Sequence, residues 1–141
     1  MTARPDRPVH LRWSTLGLVV AGGAIGTLAR YLVSLALPEP DAMPMPVFVI
    51  NVAGAFLLGW LLASLARRGP DTGSRRLVRL FAGTGILGGF TTYSTFAVGA
   101  DGLFAAAHPW LGVAYAVATV IVGAAASVAG IALGARRGAR A

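Results

Sequence analysis

Cysteine and lysine are absent from the sequence, and only five residues are acidic. Without cysteine, the chain has no disulfide, no thiolate chemistry and no cysteine-based metal site. Charged residues make up 12% of the 141 residues, and hydrophobic residues make up 56%. A soluble domain has roughly a quarter of its residues charged. Because this chain has half that share, most of its surface cannot face water, and the composition indicates an integral membrane protein.

Four apolar stretches follow one another, each close to the ~20 residues that a helix needs to cross a bilayer. They predict membrane-spanning helices at residues 16–37, 47–66, 80–100 and 111–135. A spanning segment of this length is helical because its backbone groups find no water to bond within lipid. The connections are too short to fold separately, so the sequence predicts one all-α membrane domain over residues 1–141.

The arginines lie almost entirely on one predicted side of the membrane. Three precede the first span, five lie between the second and third spans, and three end the chain, which makes eleven on that side and none opposite. Basic flanks remain in the cytoplasm, so both termini are predicted to be cytoplasmic. The net charge of +7 is explained by these flanks, and we expect no nucleic-acid partner.

Gly22, Gly26 and Arg30 recur every four residues in the first span and share one helix face. The glycines allow another helix to approach closely, which indicates a packing seam. Arg30 is the one charged residue within a predicted span, and a buried guanidinium there must meet a carbonyl, an anion or water. Two interpretations stay open, namely an anion-attracting outer vestibule and extension toward the outer headgroups.

Two other polar features also have two interpretations each. Asn51 in the second span either bonds a neighbouring helix or offers N–H groups to an anion. Tyr115, Thr119, Gly123 and Ser127 recur every four residues in the fourth span, so they form one stripe. The stripe is either a polar track for an ion or a packing seam of small residues.

The third span contains a dense group of glycines, hydroxyls and aromatic rings between Gly83 and Phe96. Gly88 and Gly89 precede two threonines, and these residues are poor helix formers. The pattern predicts a helix broken at mid-membrane, which is tolerated where it lines a cavity or is buried in protein. Such breaks free carbonyls and hydroxyls that can bind ions. The alternative is a continuous helix whose hydroxyls bond to the preceding turn.

Asp, Glu and Lys are missing from all four predicted spans. A small four-helix multidrug exporter is one alternative function, but proton-coupled exporters depend on a carboxylate within the membrane. No set of nucleophile, base and acid is present either, so we expect no enzyme activity. A second alternative, a membrane protein that only packs helices during assembly, would not need Asn51, Arg30 and a broken span together.

Three motifs occur in order along the spans. The first two are Gly22-Gly-x-x-Gly26-x-x-x-Arg30-Tyr31 and Asn51-x-x-Gly54-x-Phe56-x-x-Gly59. The third is Gly85-x-x-Gly88-Gly89-x-Thr91-Thr92-Tyr93-Ser94-Thr95-Phe96. With them, residues 16–133 strongly resemble the Fluc (CrcB) family of fluoride channels. The resemblance implies passive export of fluoride through the bacterial inner membrane, which lowers the toxicity of fluoride inside the cell.

The resemblance also implies an antiparallel, dual-topology dimer with two fluoride pathways and a structural sodium ion at its centre. Backbone carbonyls of the broken span hold the sodium, and the matching positions here are Gly88 and Thr91. The positions that match the fluoride pathway are Asn51, Tyr93, Ser94, Thr95, Phe96, Tyr115 and Thr119. Vestibule or structural positions of the family match Arg30, Gly22, Gly26 and Gly54.

Three residues depart from the usual pattern of the family. Tyr93 stands where phenylalanine is usual, so its ring edge is kept and a hydroxyl that needs a partner is added. Ala97 stands where serine is common. Gly99 stands where many members carry glutamate near the end of the pathway.

The arginine distribution gives a prediction of its own. An antiparallel homodimer requires one sequence to insert both ways, whereas a bias of eleven arginines to none favours a single orientation. We therefore expect a heterodimer with a homologous partner of inverted orientation. A reporter fused to the C-terminus should be almost entirely cytoplasmic when this chain is expressed alone, and equal fractions inside and outside would contradict the hypothesis.

Overall fold

A computed structural model describes residues 13–39 and 43–136, and every regular element in these ranges is helical. The predicted all-α class is therefore confirmed. The elements in chain order are α1 (Trp13–Ala36), α2 (Met45–Arg67), α3 (Gly73–Val78), a π-helical segment (Arg79–Leu87), α4 (Gly88–Phe90), α5 (Ser94–Ala105) and α6 (Pro109–Arg136).

Three of the described helices, α1, α2 and α6, are long and apolar enough to cross a membrane. Their bounds differ by one to three residues from the predicted spans 16–37, 47–66 and 111–135. The predicted span 80–100 is divided, because α3, the π-helical segment and α4 form a first arm and α5 forms a second. The four-span architecture with an interrupted third span is thus confirmed.

The interruption lies at Thr91–Tyr93, between α4 and α5. It overlaps the stretch from Gly88 to the two threonines that is poor in helix formers, although Gly88 itself is helical with φ −66° and ψ −34°. Thr91 leaves the helix with a ψ of 156°. Gly89 serves close packing, since a Cβ added there would collide with the Gly23 carbonyl of α1, whereas a Cβ on Gly88 would meet nothing within 4 Å.

Glycines hold α1 against the first arm of the third span. A Cβ on Gly22 would lie 3.0 Å from the Gly85 Cα, and one on Gly26 would lie 2.8 Å from the Ile86 carbonyl carbon. In lipid, helices gain little from burying apolar surface against each other, so van der Waals contact between close backbones becomes the main attraction. The seam predicted from Gly22 and Gly26 is present.

A second glycine seam joins α2 to α6. A Cβ on Gly130 would lie 2.9 Å from the backbone nitrogen of Trp60, and one on Gly134 would lie 2.7 Å from the carbonyl oxygen of Trp60. At the end of this seam, Arg67 Nη1 donates to the carbonyls of Gly134 and Ala135 at 2.6 and 3.1 Å. These bonds join the end of α2 to the last described turn of α6.

The hydrophobic core is small, and most apolar side chains point outward. Val47, Ile50, Leu87, Leu103 and Tyr115 are buried. By contrast, large side chains along α1 and α6 are more than half exposed, among them Val20, Leu35, Val120, Ile121 and Val128. Trp13 and Trp110, at the starts of α1 and α6, are at least 80% exposed. This surface fits lipid, with tryptophans at the levels where headgroups begin.

Substituting Gly26 with alanine tests the seam between α1 and the third span. The new Cβ would meet the Ile86 carbonyl in a backbone contact that cannot give way, so we expect the free energy of unfolding to fall by about 1–3 kcal/mol. The matched control is Gly17→Ala in the same helix, where nothing lies within 4 Å. Denaturant titration in detergent micelles measures both variants, and equal stability would contradict the packing described here.

Candidate functional site

The side chain of Asn51 bonds the backbone of the interrupted third span. Its Nδ2 donates to the Thr92 carbonyl at 2.9 Å, and its Oδ1 accepts the Thr92 N–H at 2.9 Å. Asn51 therefore occupies both backbone groups of the residue at the centre of the break. One N–H of the amide remains available, so bonding a neighbouring helix does not exclude a bond to an anion.

The carbonyls of residues 88–92 lose their helical partners at the break, because none of the corresponding backbone bonds is present among the described residues. In a continuous α-helix the Thr92 N–H would donate to Gly88, and the Thr95 N–H would donate to Thr91. The Thr92 N–H goes to Asn51 instead, and the Thr95 N–H goes to the Thr92 hydroxyl at 3.2 Å. The Thr92 carbonyl oxygen accepts from Asn51, and the Gly89 oxygen accepts a hydrogen bond from the Thr27 hydroxyl at 3.4 Å. The oxygens left without a bond among the described residues are those of Gly88, Phe90 and Thr91. Gly88 and Thr91 are the positions that the resemblance assigned to a sodium ion.

A cavity of about 410 Å³ lies beside the break, between α2, the start of α5 and α6. Its walls are mostly apolar, with a few polar side chains placed among them. Several of the predicted pathway residues meet here. The lining comprises Asn51, Gly54, Ala55, Leu58, Thr91, Thr92, Tyr93, Phe96, Thr119 and Val120.

Gly54 allows α2 to pack closely against the chain at the end of α4. A Cβ at this position would collide with the Thr91 methyl group and lie 3.5 Å from the Phe90 ring. The glycine therefore makes space for the chain where it leaves α4. Its structural role, which the resemblance implied without a mechanism, has a steric cause.

Three aromatic rings form a row from the break to α6. The ring centroids of Tyr93 and Phe96 are 5.9 Å apart, and those of Phe96 and Tyr115 are 5.5 Å apart. Tyr93 is 81% exposed, whereas Tyr115 is 2% exposed. The buried Tyr115 hydroxyl has no hydrogen-bond partner among the described residues, although such groups normally have one.

Gly99 lies beside this unpaired hydroxyl. A Cβ on Gly99 would lie 3.7 Å from the Tyr115 oxygen and 2.8 Å from Pro44 Cγ. A larger residue would therefore require Pro44 to move. With glycine in place of glutamate at this position, α5 packs directly on the start of α2.

The hydroxyl groups near the break are mostly engaged with the protein. Thr92 Oγ1 lies 3.3 Å from Ser94 Oγ and 3.1 Å from Thr95 Oγ1. Thr119 Oγ1 donates to the Tyr115 carbonyl at 2.7 Å. Thr119 thus presents lone pairs to the cavity, while its proton is held by its own helix.

Ser94 and Thr95 do not line the cavity beside the break. Thr95 faces a separate cavity of about 230 Å³, where it meets Thr92 and the half-buried Arg30. The structure therefore places Arg30 against the other side of the break. In the rest of the predicted stripe on α6, Ser127 packs against α2, because a Cβ on Gly59 would collide with the Ser127 carbonyl, whereas a Cβ on Gly123 would meet nothing within 4 Å.

Sequence reasoning missed two contributors to this site. Pro44 supports α5 at Gly99, and Leu87 accepts both the Thr91 N–H and the Thr91 hydroxyl at 3.0 and 2.9 Å. A proline ahead of a span is a general sign of a helix start, so nothing local marked its contact with α5.

Comparison with known proteins agrees with the motifs. A family model described as CrcB-like protein, Camphor Resistance (CrcB), matches residues 17–131. The "Fluoride-specific ion channel FluC 2" of Leifsonia xyli subsp. xyli is 59% identical over 140 residues, which cover 99% of this chain and 97% of that protein. The "Fluoride-specific ion channel FluC 1" of Cutibacterium acnes is 48% identical over 111 residues, which cover 77% of each chain.

A third relative, the "Fluoride-specific ion channel FluC 1" of Mycobacterium tuberculosis, is 42% identical over 109 residues, with 77% of this chain and 80% of that protein covered. The family match and these identities span all the helices that build the break and its cavity. This chain is a multi-pass membrane protein that belongs to the CrcB family.

Proposed function

We propose that this chain is a subunit of a fluoride channel that exports fluoride passively from the bacterial cytoplasm. The observation that carries the proposal is the cavity beside the break, where aromatic rings and one amide N–H line mostly apolar walls. Relatives that carry the name of fluoride-specific ion channels match this chain over almost its full length. Hydrogen fluoride enters cells as a neutral acid and dissociates there, and the membrane potential then drives the anion outward.

The cavity fits a small anion that must give up much of its water. The edges of Tyr93 and Phe96 carry partial positive charge and can face an anion without holding it too tightly. The second N–H of Asn51 supplies a donor in the cavity. The Tyr115 hydroxyl, which is unpaired among the described residues, is a further donor outside the cavity lining, behind the Phe96 ring. Several moderate sites favour conduction over trapping. This chemistry is binding and passage, so we assign no enzyme activity.

The freed carbonyls of Gly88 and Thr91 support the proposed sodium site. Carbonyl oxygens are hard, neutral ligands that suit a hard monovalent cation, and among the described residues no cluster of acidic, histidine or cysteine side chains competes for that role. Bound sodium would add a fixed positive charge beside the anion route. Two carbonyls are few for such an ion, so a second subunit completes the set.

A dimer accounts for the exposed side chain of Tyr93 at the break. Tyr93 is 81% exposed although it lies midway along a span, and an antiparallel partner would cover it. The arginine bias favours a partner of inverted orientation that is homologous to this chain, whereas an antiparallel homodimer needs dual insertion. In the proposed heterodimer, the termini of this chain face the cytoplasm.

Fluoride efflux from loaded liposomes tests the channel activity. The reconstituted chain, alone or with its inverted homologue, should release fluoride rapidly under a potassium–valinomycin potential, without ATP or a proton gradient. Chloride-loaded vesicles are the control and should retain their contents. Efflux that requires a proton gradient would indicate an exporter, and no efflux in either reconstitution would contradict the proposal.

Asn51→Leu tests how the break is held. It leaves both backbone groups of Thr92 without a partner, at about 1–3 kcal/mol for each unsatisfied group. If Thr92 returns its N–H to Gly88, the sodium site loses a ligand. We expect fluoride efflux to fall at least about ten-fold, since ~1.4 kcal/mol corresponds to a factor of ten.

The same variant should lose any stabilisation by sodium. The wild-type chain should unfold at a higher temperature in sodium chloride than in N-methylglucamine chloride, and Asn51→Leu should show no such difference. Val52→Leu, at the adjacent position in α2, is the control for added volume. Efflux and sodium dependence that survive in Asn51→Leu would refute the assignment.

A further inference from the structure

We propose that this chain binds an anionic phospholipid in a groove between α1 and the start of the third span. The groove, named here the α1 groove, has a volume of about 350 Å³. Its apolar wall consists of Leu16, Val19 and Leu80, and Arg76 and Arg79 lie at one end. The inference is separate from the proposed fluoride pathway, which lies beside the break.

The arginines at the end of the groove are held in place by the loop before α3. Arg79 donates to Asp71 Oδ2 from Nε at 3.0 Å and approaches it through Nη2 at 2.8 Å. Arg76 Nε donates to the Asp71 carbonyl at 2.9 Å. These bonds fix two guanidinium groups side by side before any ligand arrives, which lowers the entropy cost of binding.

The charge balance at this position favours an anion. Arg79 lowers the pKa of the exposed Asp71 carboxyl from its ordinary value through their hydrogen bond, so this one carboxylate is ionised and engaged. Within the described residues the Nη groups of Arg76 have no hydrogen-bond partner. About one-third of each arginine side chain is exposed, so these donors are accessible.

A neighbouring cavity provides a useful contrast. It lies on the other side of Arg79, with Leu62, Leu65 and Arg75 in its lining, and it also includes Asp71. A carboxylate in the lining repels an anion, and none of the described residues that line the α1 groove is acidic. The electrostatics therefore favour the α1 groove over its neighbour.

The apolar wall identifies the anion as a lipid. Leu16, Val19 and Leu80 belong to the spans, so the groove continues from the arginines toward the bilayer interior. A phosphate at Arg76 and Arg79 would place an acyl chain along this wall. The arginine-rich connection is on the predicted cytoplasmic side, where the leaflet carries anionic lipids. A free phosphate would leave the apolar wall unoccupied.

Native mass spectrometry of the full-length protein in detergent tests the proposal, with phosphatidylglycerol, phosphatidylcholine or inorganic phosphate added. We expect one phosphatidylglycerol per subunit, retained in preference to phosphatidylcholine. Arg76→Gln should weaken its binding about five-fold, the effect of the ~1 kcal/mol that a basic residue contributes near an anionic surface. Arg68→Gln removes the same charge from the same connection outside the groove, and should change binding less than about two-fold.

A second pair of variants tests the apolar wall without changing charge. Val19→Trp fills the groove and should abolish retention of phosphatidylglycerol. Val20→Trp adds the same volume on an outward face that is already 70% exposed and should have no effect. The folded state of each variant is checked by its fluoride efflux and its elution volume.

Three outcomes would overturn the proposal. Equal weakening by Arg68→Gln and Arg76→Gln would indicate diffuse attraction to a charged surface. Displacement by inorganic phosphate, together with normal binding in Val19→Trp, would indicate a free-anion site. Dissociation of the dimer in Val19→Trp would indicate that a second subunit covers the groove. If the wild-type chain passes no fluoride, the proposed channel function fails and the lipid proposal is unaffected, because lipid retention is measured independently.

Discussion

The hydrogen bonds between the Asn51 amide and the Thr92 backbone are the interaction on which the site depends. A chain that leaves the helix within a bilayer exposes N–H and C=O groups that lipid cannot satisfy, at several kcal/mol each. Asn51 meets one donor and one acceptor of the same residue, at 2.9 Å each. The Thr92 hydroxyl then receives the Thr95 N–H. The break is thereby stabilised, and the carbonyls of Gly88, Phe90 and Thr91 are left without a bond among the described residues.

The sequence left two interpretations of Asn51 open, and the structure is compatible with both. Bonding a neighbouring helix and offering a donor to an anion are compatible, because one N–H serves Thr92 and the other stays available. Thr119 offers no donor to an anion, because its hydroxyl proton is bonded to the Tyr115 carbonyl. A polar stripe in the sequence therefore does not translate directly into a row of donors. The buried Tyr115 hydroxyl has no partner among the described residues, but Tyr115 does not line the cavity beside the break.

The sequence predicted the spans and the existence of the break because those features depend on local composition. Runs of apolar residues define the first, and a cluster of glycine and threonine defines the second. The exact position of the break could not be predicted, since it depends on Asn51, which bonds Thr92 across 41 positions in the chain. Gly88 and Gly89 stay helical, and Gly89 allows the close approach to α1, as its contact with Gly23 shows. Of the positions that the resemblance assigns to the pathway, Asn51, Tyr93, Phe96 and Thr119 line the cavity beside the break. Ser94 and Tyr115 do not line it, and Thr95 faces the cavity of Arg30.

The position of the break also bears on the geometry of assembly. An antiparallel pair is related by an axis within the membrane plane, so only groups near mid-membrane can meet their own counterparts. The break lies midway along the third span, and Tyr93 beside it is 81% exposed. Carbonyls of Gly88 and Thr91 from two chains could therefore converge at one point, while the arginine-rich ends would lie on opposite faces. A homologous partner with inverted charge bias would keep this convergence and remove the conflict with one-way insertion, so the arginines and the break together favour a heterodimer.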